Sequence, residues 1–145
     1  MITENDVIRA VCLKLDKHGF SIQQSLNTLE KGIDVIARRN DFILYLEAKG
    51  ETSALITSKR YGKPFNQNQI VDHVAKALLS VSKILTTRTD DNFGIAIALP
   101  DNLGHRKVIR EIEHAIKLLD ITMFWVAADG SVDIVNSLEN KKYYT

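Results

Sequence analysis

The sequence predicts an α/β protein: a central mixed β-sheet flanked by helices. Three observations carry this. Apolar residues recur at helical spacing in three segments. They alternate, or run without interruption, in shorter segments between those. The two kinds follow one another in the order α-β-β-β-α-β-α-β-β, a strand meander and then helix-separated strands.

The first helix is predicted over residues 3–18. Thr3 and Asp6 resemble a capping pair, Ile8, Val11, Cys12 and Leu15 repeat along one stripe, and Lys17, His18 and Gly19 close the helix. Phe20, Ile22, Gln24 and Leu26 alternate as a first strand, and residues 27–32 form a polar connection. A second strand over 33–38, a turn at Arg39-Asn40-Asp41 and a third strand over 42–49 make a hairpin. In the third strand Phe42, Leu44, Leu46 and Ala48 share one face, and Ile43, Tyr45, Glu47 and Lys49 share the other. Both faces begin apolar, so the strand is expected to be central, with only its far end polar on one side.

Residues 50–66 are predicted as a loop punctuated by Gly62 and Pro64. A long helix over 67–85 follows, with Ile70, Val74, Leu78, Val81 and Leu85 as its stripe. A fully apolar strand over 93–99 leads to a helix over 105–119. Then come a strand over 121–127, in which Met123 and Trp125 are core residues, a turn at Asp129-Gly130 and a last strand over 131–135. One domain is expected over 1–137, with 138–145 a polar tail.

The bulk numbers narrow the function classes. At 145 residues the chain can bury one core without disulfides. A formal net charge of +1 means that any nucleic-acid surface must be local. The lone Cys12 excludes a disulfide framework or a cysteine zinc cluster within the chain, and points to a reducing, cytoplasmic setting. The start lacks the basic and apolar regions of a signal peptide, and no apolar run approaches the roughly 18 residues of a membrane span.

The chemistry is concentrated in Gly32 to Gly50. A tight turn at Asn40 sets Asp34 opposite Glu47 with both side chains on one face. Two carboxylates that close repel each other unless they share a hard cation, and oxygen ligands suit Mg²⁺, with Mn²⁺ able to substitute. The Ala48 carbonyl offers another oxygen, and Lys49 is placed to orient a water or neutralise a phosphate. The alternative for the same residues is a solvated sheet end carrying a Glu–Lys pair of little consequence.

Gly32-Ile33-Asp34 followed by Tyr45-Leu46-Glu47-Ala48-Lys49-Gly50 resembles the active-site hairpin of the PD-(D/E)XK nuclease superfamily, the restriction-endonuclease-like fold. The nearest branch is that of archaeal Holliday-junction resolvases and Mrr-like restriction nucleases. The resemblance covers residues 3–99, with Ile33 where a proline often stands in the family. It implies a Mg²⁺-dependent DNA endonuclease in which Asp34 and Glu47 hold the metal, Lys49 is the catalytic lysine, and products carry a 5′-phosphate and a 3′-hydroxyl. It also implies an acidic metal contact from the first helix, with Glu4 preferred over Asp6, and a catalytic glutamine on the next helix, Gln69, with Gln67 as its substitute.

DNA contacts are expected from two places. Lys59, Arg60, Tyr61 and Lys63 make a basic loop with one aromatic residue, suited to phosphates rather than bases. His73 and Lys76 continue the polar stripe that begins at Gln69. An ordinary surface loop and a solvated helix face are the alternatives. A homodimer is compatible with the last strands or the tail. His105 and His114 find no partner in the sequence and receive no role. The second function considered is an inactive nuclease-fold module that binds nucleic acid or protein.

Overall fold

Thr3 caps the first helix through the predicted spacing: its Oγ1 accepts from the Asp6 N–H at 3.2 Å, and its own N–H donates to Asp6 Oδ2 at 2.9 Å. The computed structural model describes residues 1–27, 29–53, 59, 62–136 and 138. Helix α1 (Glu4–Lys17) buries Val7, Ile8, Val11 and Leu15 and ends at His18, with Gly19 at φ +82°. Strands β1 (Ser21–Ser25), β2 (Val35–Arg39) and β3 (Phe42–Ala48) form the antiparallel meander. Helix α2 (Gln67–Thr87) leads to β4 (Phe93–Pro100). Helices α3 (Leu103–Glu111) and α4 (Glu113–Leu118) precede β5 (Ile121–Val126), and β6 (Val132–Val135) returns through the turn at Gly130.

The six strands lie in the order β1-β2-β3-β4-β5-β6. β3, β4 and β5 are parallel, and the outer pairings are antiparallel, so the sheet is mixed as expected. β3 is central and buried along its whole length. Its Leu44, Leu46 and Ala48 face α1 with Phe42, Val35, Ala37 and Phe124. Its Ile43 and Tyr45 face the other side, where α2, α3 and α4 cover Ile95, Ile97, Leu99, Met123 and Trp125. Each large apolar side chain so buried contributes about 1.5–3 kcal/mol, which is why period-2 patterning fixes the register.

Two predicted features differ. The helix over 105–119 is two helices, broken at Ile112, whose N–H bonds back three residues to the Ile109 carbonyl at 3.1 Å. The tightened turn keeps Ile109, Ile112 and Ile116 all on the sheet. The first of them starts at Leu103, because Asn102 Oδ1 accepts from the His105 N–H at 2.9 Å and sets the cap. Leu138, assigned by sequence to the polar tail, is buried in the α1 cluster. Residues 139–145 lie outside the described residues. No helix among the described residues is long and apolar enough to cross a membrane.

Candidate active site

The β2–β3 ladder pairs Val35 with Leu46 and then stops. Its next rung would give the Ala48 N–H to the Ile33 carbonyl, but that carbonyl accepts from Gln24 Nε2 at 2.7 Å. The Asp34 carboxylate takes the rung's place: Oδ2 accepts from the Ala48 N–H at 2.8 Å. The register thus continues through a side chain, and Asp34 and Glu47 face each other as the sequence predicts. In an extended strand the N–H and C=O of one residue point to the same side, so the Ala48 carbonyl faces the Asp34 side too. Glu47 is only 8% exposed. Burial pushes its carboxyl up to about 8, and the adjacent Asp34 charge and hydrogen bond push in the same direction, with Lys49 opposing.

A third carboxyl joins from α1. Burial raises the Glu4 pKa, the nearby Asp34 charge raises it further, and Lys49 opposes both. Gly50 makes this approach possible. A Cβ there would stand 2.4 Å from the Glu4 backbone nitrogen and 2.6 Å from the Thr3 carbonyl carbon. The start of α1 therefore lies directly against the end of β3, pinned by the Thr3–Thr52 bridge and by the Glu51 N–H donating to the Ile2 carbonyl at 3.0 Å. Asp6, the other acidic candidate, is committed to the cap and to Arg9.

A second polar group adjoins the first, at the carboxyl ends of the parallel strands. Glu51 Oε1 accepts from the Ile2 N–H at 2.8 Å, and Oε2 accepts from Asn102 Nδ2 at 2.9 Å. Asn102 Oδ1 also lies 2.9 Å from His105 Nδ1. His105 is fully buried, and its Nε2 has no hydrogen-bond partner among the described residues. Burial holds this imidazole down to about 4; the nearby His73 adds to that, and Glu51 opposes it. His73, on α2, packs edge-on to Phe65 with ring centroids 4.5 Å apart, and its Nδ1 is buried without a partner among the described residues. Burial lowers its pKa first, and the Lys49 and Lys76 charges lower it further.

His105 has no role in the reading of the sequence, and Glu51 and Asn102 do not figure in it. Their one linear signal is position: each follows the carboxyl end of a parallel strand, where α/β sheets place their ligands. A buried neutral histidine has a pH signature. The unfolded chain binds its proton near pH 6.5 and the folded chain only near 4, so stability falls as pH drops between those values, by up to about 3 kcal/mol. Urea unfolding at pH 7 and pH 4.5 checks this: in His105→Gln the acid-induced loss is expected to be smaller by about 2 kcal/mol.

The remaining predicted residues scatter. Gln69 Oε1 accepts from the Asn66 N–H at 2.9 Å and completes the α2 capping box, while Gln67 Nε2 reaches the Gly104 carbonyl at 3.3 Å. Both amides therefore have structural partners. Lys76, Lys59 and Lys63 are exposed, and Arg60 and Tyr61 lie outside the described residues. His73 is turned inward toward Phe65 rather than standing on an open face.

Among the described residues no three His, Cys, Asp or Glu side chains are drawn together as a ready ligand shell for a metal. The donors nevertheless suit Mg²⁺, which takes one or two carboxylates and keeps its waters. Asp34, Glu47 and the Ala48 carbonyl would hold it, with Glu4 beside them. Burial first, and then the Asp34 charge, keep a proton on Glu47, and a bound cation would offset both. No protein-family model matches this chain, and no curated protein matches it.

Proposed function

We propose that the protein is a metal-dependent deoxyribonuclease, an endonuclease of the PD-(D/E)XK type on the restriction-endonuclease-like fold. One arrangement supports this: the charges of Glu4, Asp34 and Lys49, half-buried at the start of α1, just before β2 and just after β3, all act on the buried Glu47. Structural salt bridges balance their charges. Here Asp34 and Glu47 stand side by side, Glu4 is near enough for its charge to act on them, and one lysine opposes, an excess of carboxyls that suits a divalent cation and a substrate phosphate together.

Bound Mg²⁺ would supply Lewis acidity toward a phosphoryl oxygen and a water made more acidic. The chain's own residues do the rest. Asp34 is held in place by the Ala48 N–H. Lys49, half-buried and close enough for its charge to act on Glu47, would neutralise charge growing on a phosphate and orient the attacking water. Lys59, Lys63 and Lys76 are exposed cations suited to backbone phosphates without reading sequence.

The test is direct. Plasmid, branched and single-stranded DNA are incubated with Mg²⁺, Mn²⁺ or EDTA, beside Glu47→Ala and Lys49→Ala. Metal-dependent cutting is expected for the native chain and a loss of at least about 100-fold for each variant. Binding without cutting would instead support a catalytically inactive module, and absence of both would remove nucleic acid from the account.

A further inference from the structure

We propose that the cavity between α3, α4 and the outer strands β5 and β6 binds a small aromatic carboxylate, with Arg110 receiving the carboxylate group. The cavity shares no residue with the corner of Glu4, Asp34, Glu47 and Lys49, and the proposal does not rest on the nuclease reading.

The cavity arises at the edge of the sheet. α4 packs on β5, and Met123 and Trp125 of that strand lie on the helix side. β6 is the outermost strand, and Val135, opposite Met123 in the ladder, is still 42% exposed. A hollow of about 190 Å³ remains there. Its apolar side includes Ile116, Met123, Trp125 and Val135, and its charged side holds Arg106, Arg110, Glu113 and Lys117. An apolar cavity of roughly 150 Å³ accepts one benzene ring, so this one suits a single ring and a small substituent.

The charges decide what the ring carries. Arg106 is already committed: its guanidinium carbon lies 3.9 Å from the centre of the Trp125 ring, and Asp101 accepts from its Nε at 2.8 Å and from its Nη2 at 3.0 Å. Asp133 acts on Arg106 as well. Lys117 has Glu113 one helical turn before it, at 3.5 Å. Arg110, one turn beyond Arg106 on α3, is exposed, and its guanidinium has no ion-pair or hydrogen-bond partner among the described residues. It is therefore the unbalanced cation of the lining. A lone cation beside an apolar hollow favours a monoanion with an apolar body. The planar guanidinium fork matches a carboxylate through two parallel hydrogen bonds. A neutral ring would leave Arg110 unused, and a cationic ring would meet its repulsion.

Trp125 is the one tryptophan of the chain, so its emission reports on this cavity in the full protein. Titrations at fixed ionic strength compare benzoate, benzamide, benzamidine and acetate, with calorimetry beside fluorescence so that a silent tryptophan hides nothing. Benzoate is expected to shift the emission and to saturate one site below about 1 mM. Benzamide has nearly the same shape without the charge, and is expected to bind at least about tenfold more weakly. Benzamidine, which lacks the negative charge, and acetate, which lacks the ring, are expected to give no saturable signal. Arg110→Ala changes an exposed side chain on which no packing depends, and is expected to weaken benzoate by about tenfold and leave benzamide unchanged. No saturable benzoate signal by either method overturns the proposal. So does benzamide or acetate binding as tightly as benzoate, or benzoate binding Arg110→Ala as it binds the native chain.

Discussion

Glu47→Gln is expected to make the protein more stable and, on the proposed function, to abolish metal-dependent cutting. Glu47 carries a proton in the folded chain up to a pH of about 8, against an ordinary value near 4.5. A raised carboxyl pKa has a definite sign. Below pH 4.5 both folded and unfolded chains hold the proton, and stability is at its fullest. As pH rises from 4.5 to 8 the unfolded chain releases the proton and the folded chain does not, so stability falls. At pH 7 the loss approaches about 3 kcal/mol, at about 1.4 kcal/mol per pH unit. Glutamine has the same shape, stays neutral and can donate to Asp34. The variant is therefore expected to gain about 1–3 kcal/mol at pH 7, a rise in Tm of several degrees, and to gain little at pH 4.5. Mg²⁺ at millimolar concentration is expected to raise the Tm of the native chain and leave the variant unmoved. Scanning calorimetry at the two pH values, with and without metal, reads all of this. A variant less stable than the native chain at pH 7 would show that the carboxyl is a structural partner rather than a strained functional group.

The legible part of this site was the part governed by short-range geometry. Asp34 and Glu47 could be set opposite each other from sequence because strand side chains alternate and a tight turn at Asn40 leaves one register. The Thr3–Asp6 cap was legible for the same reason, since both partners lie within one helical turn. What stayed hidden depends on contacts between elements far apart in the chain. Glu51 and Asn102 meet across 51 positions, and nothing in the local pattern of either announces the other. Gln69 looked like a catalytic amide because its type and spacing suited one, yet the same type at the third position of a helix also makes a capping box, which is where it is found. The break at Ile112 was invisible because residues 105–119 keep helical spacing through it.

Gly50 makes the strongest mechanical prediction, because it couples the fold to the site. Its missing side chain is what lets the first turn of α1 rest on the end of β3. Gly50→Ala places a methyl against backbone atoms at 2.4 and 2.6 Å, and backbone cannot rotate aside as a flexible side chain would. The helix start must therefore move, disturbing the Thr3–Thr52 bridge and the two Ile2–Glu51 hydrogen bonds. Overpacking of this kind costs about 1–3 kcal/mol, and the strained contacts beside it place the expected loss at the upper end. The displacement also carries Glu4 away from Asp34 and Lys49. On the proposed function, cutting in Gly50→Ala is expected to fall by about tenfold or more at temperatures where the protein remains folded, and Glu4→Gln alone is expected to reproduce much of that fall without the loss of stability. Urea unfolding beside cleavage rates separates the two effects. If Gly50→Ala were as stable as the native chain, α1 would not lie against β3 as described, and the route by which Glu4 enters the site would be lost with it.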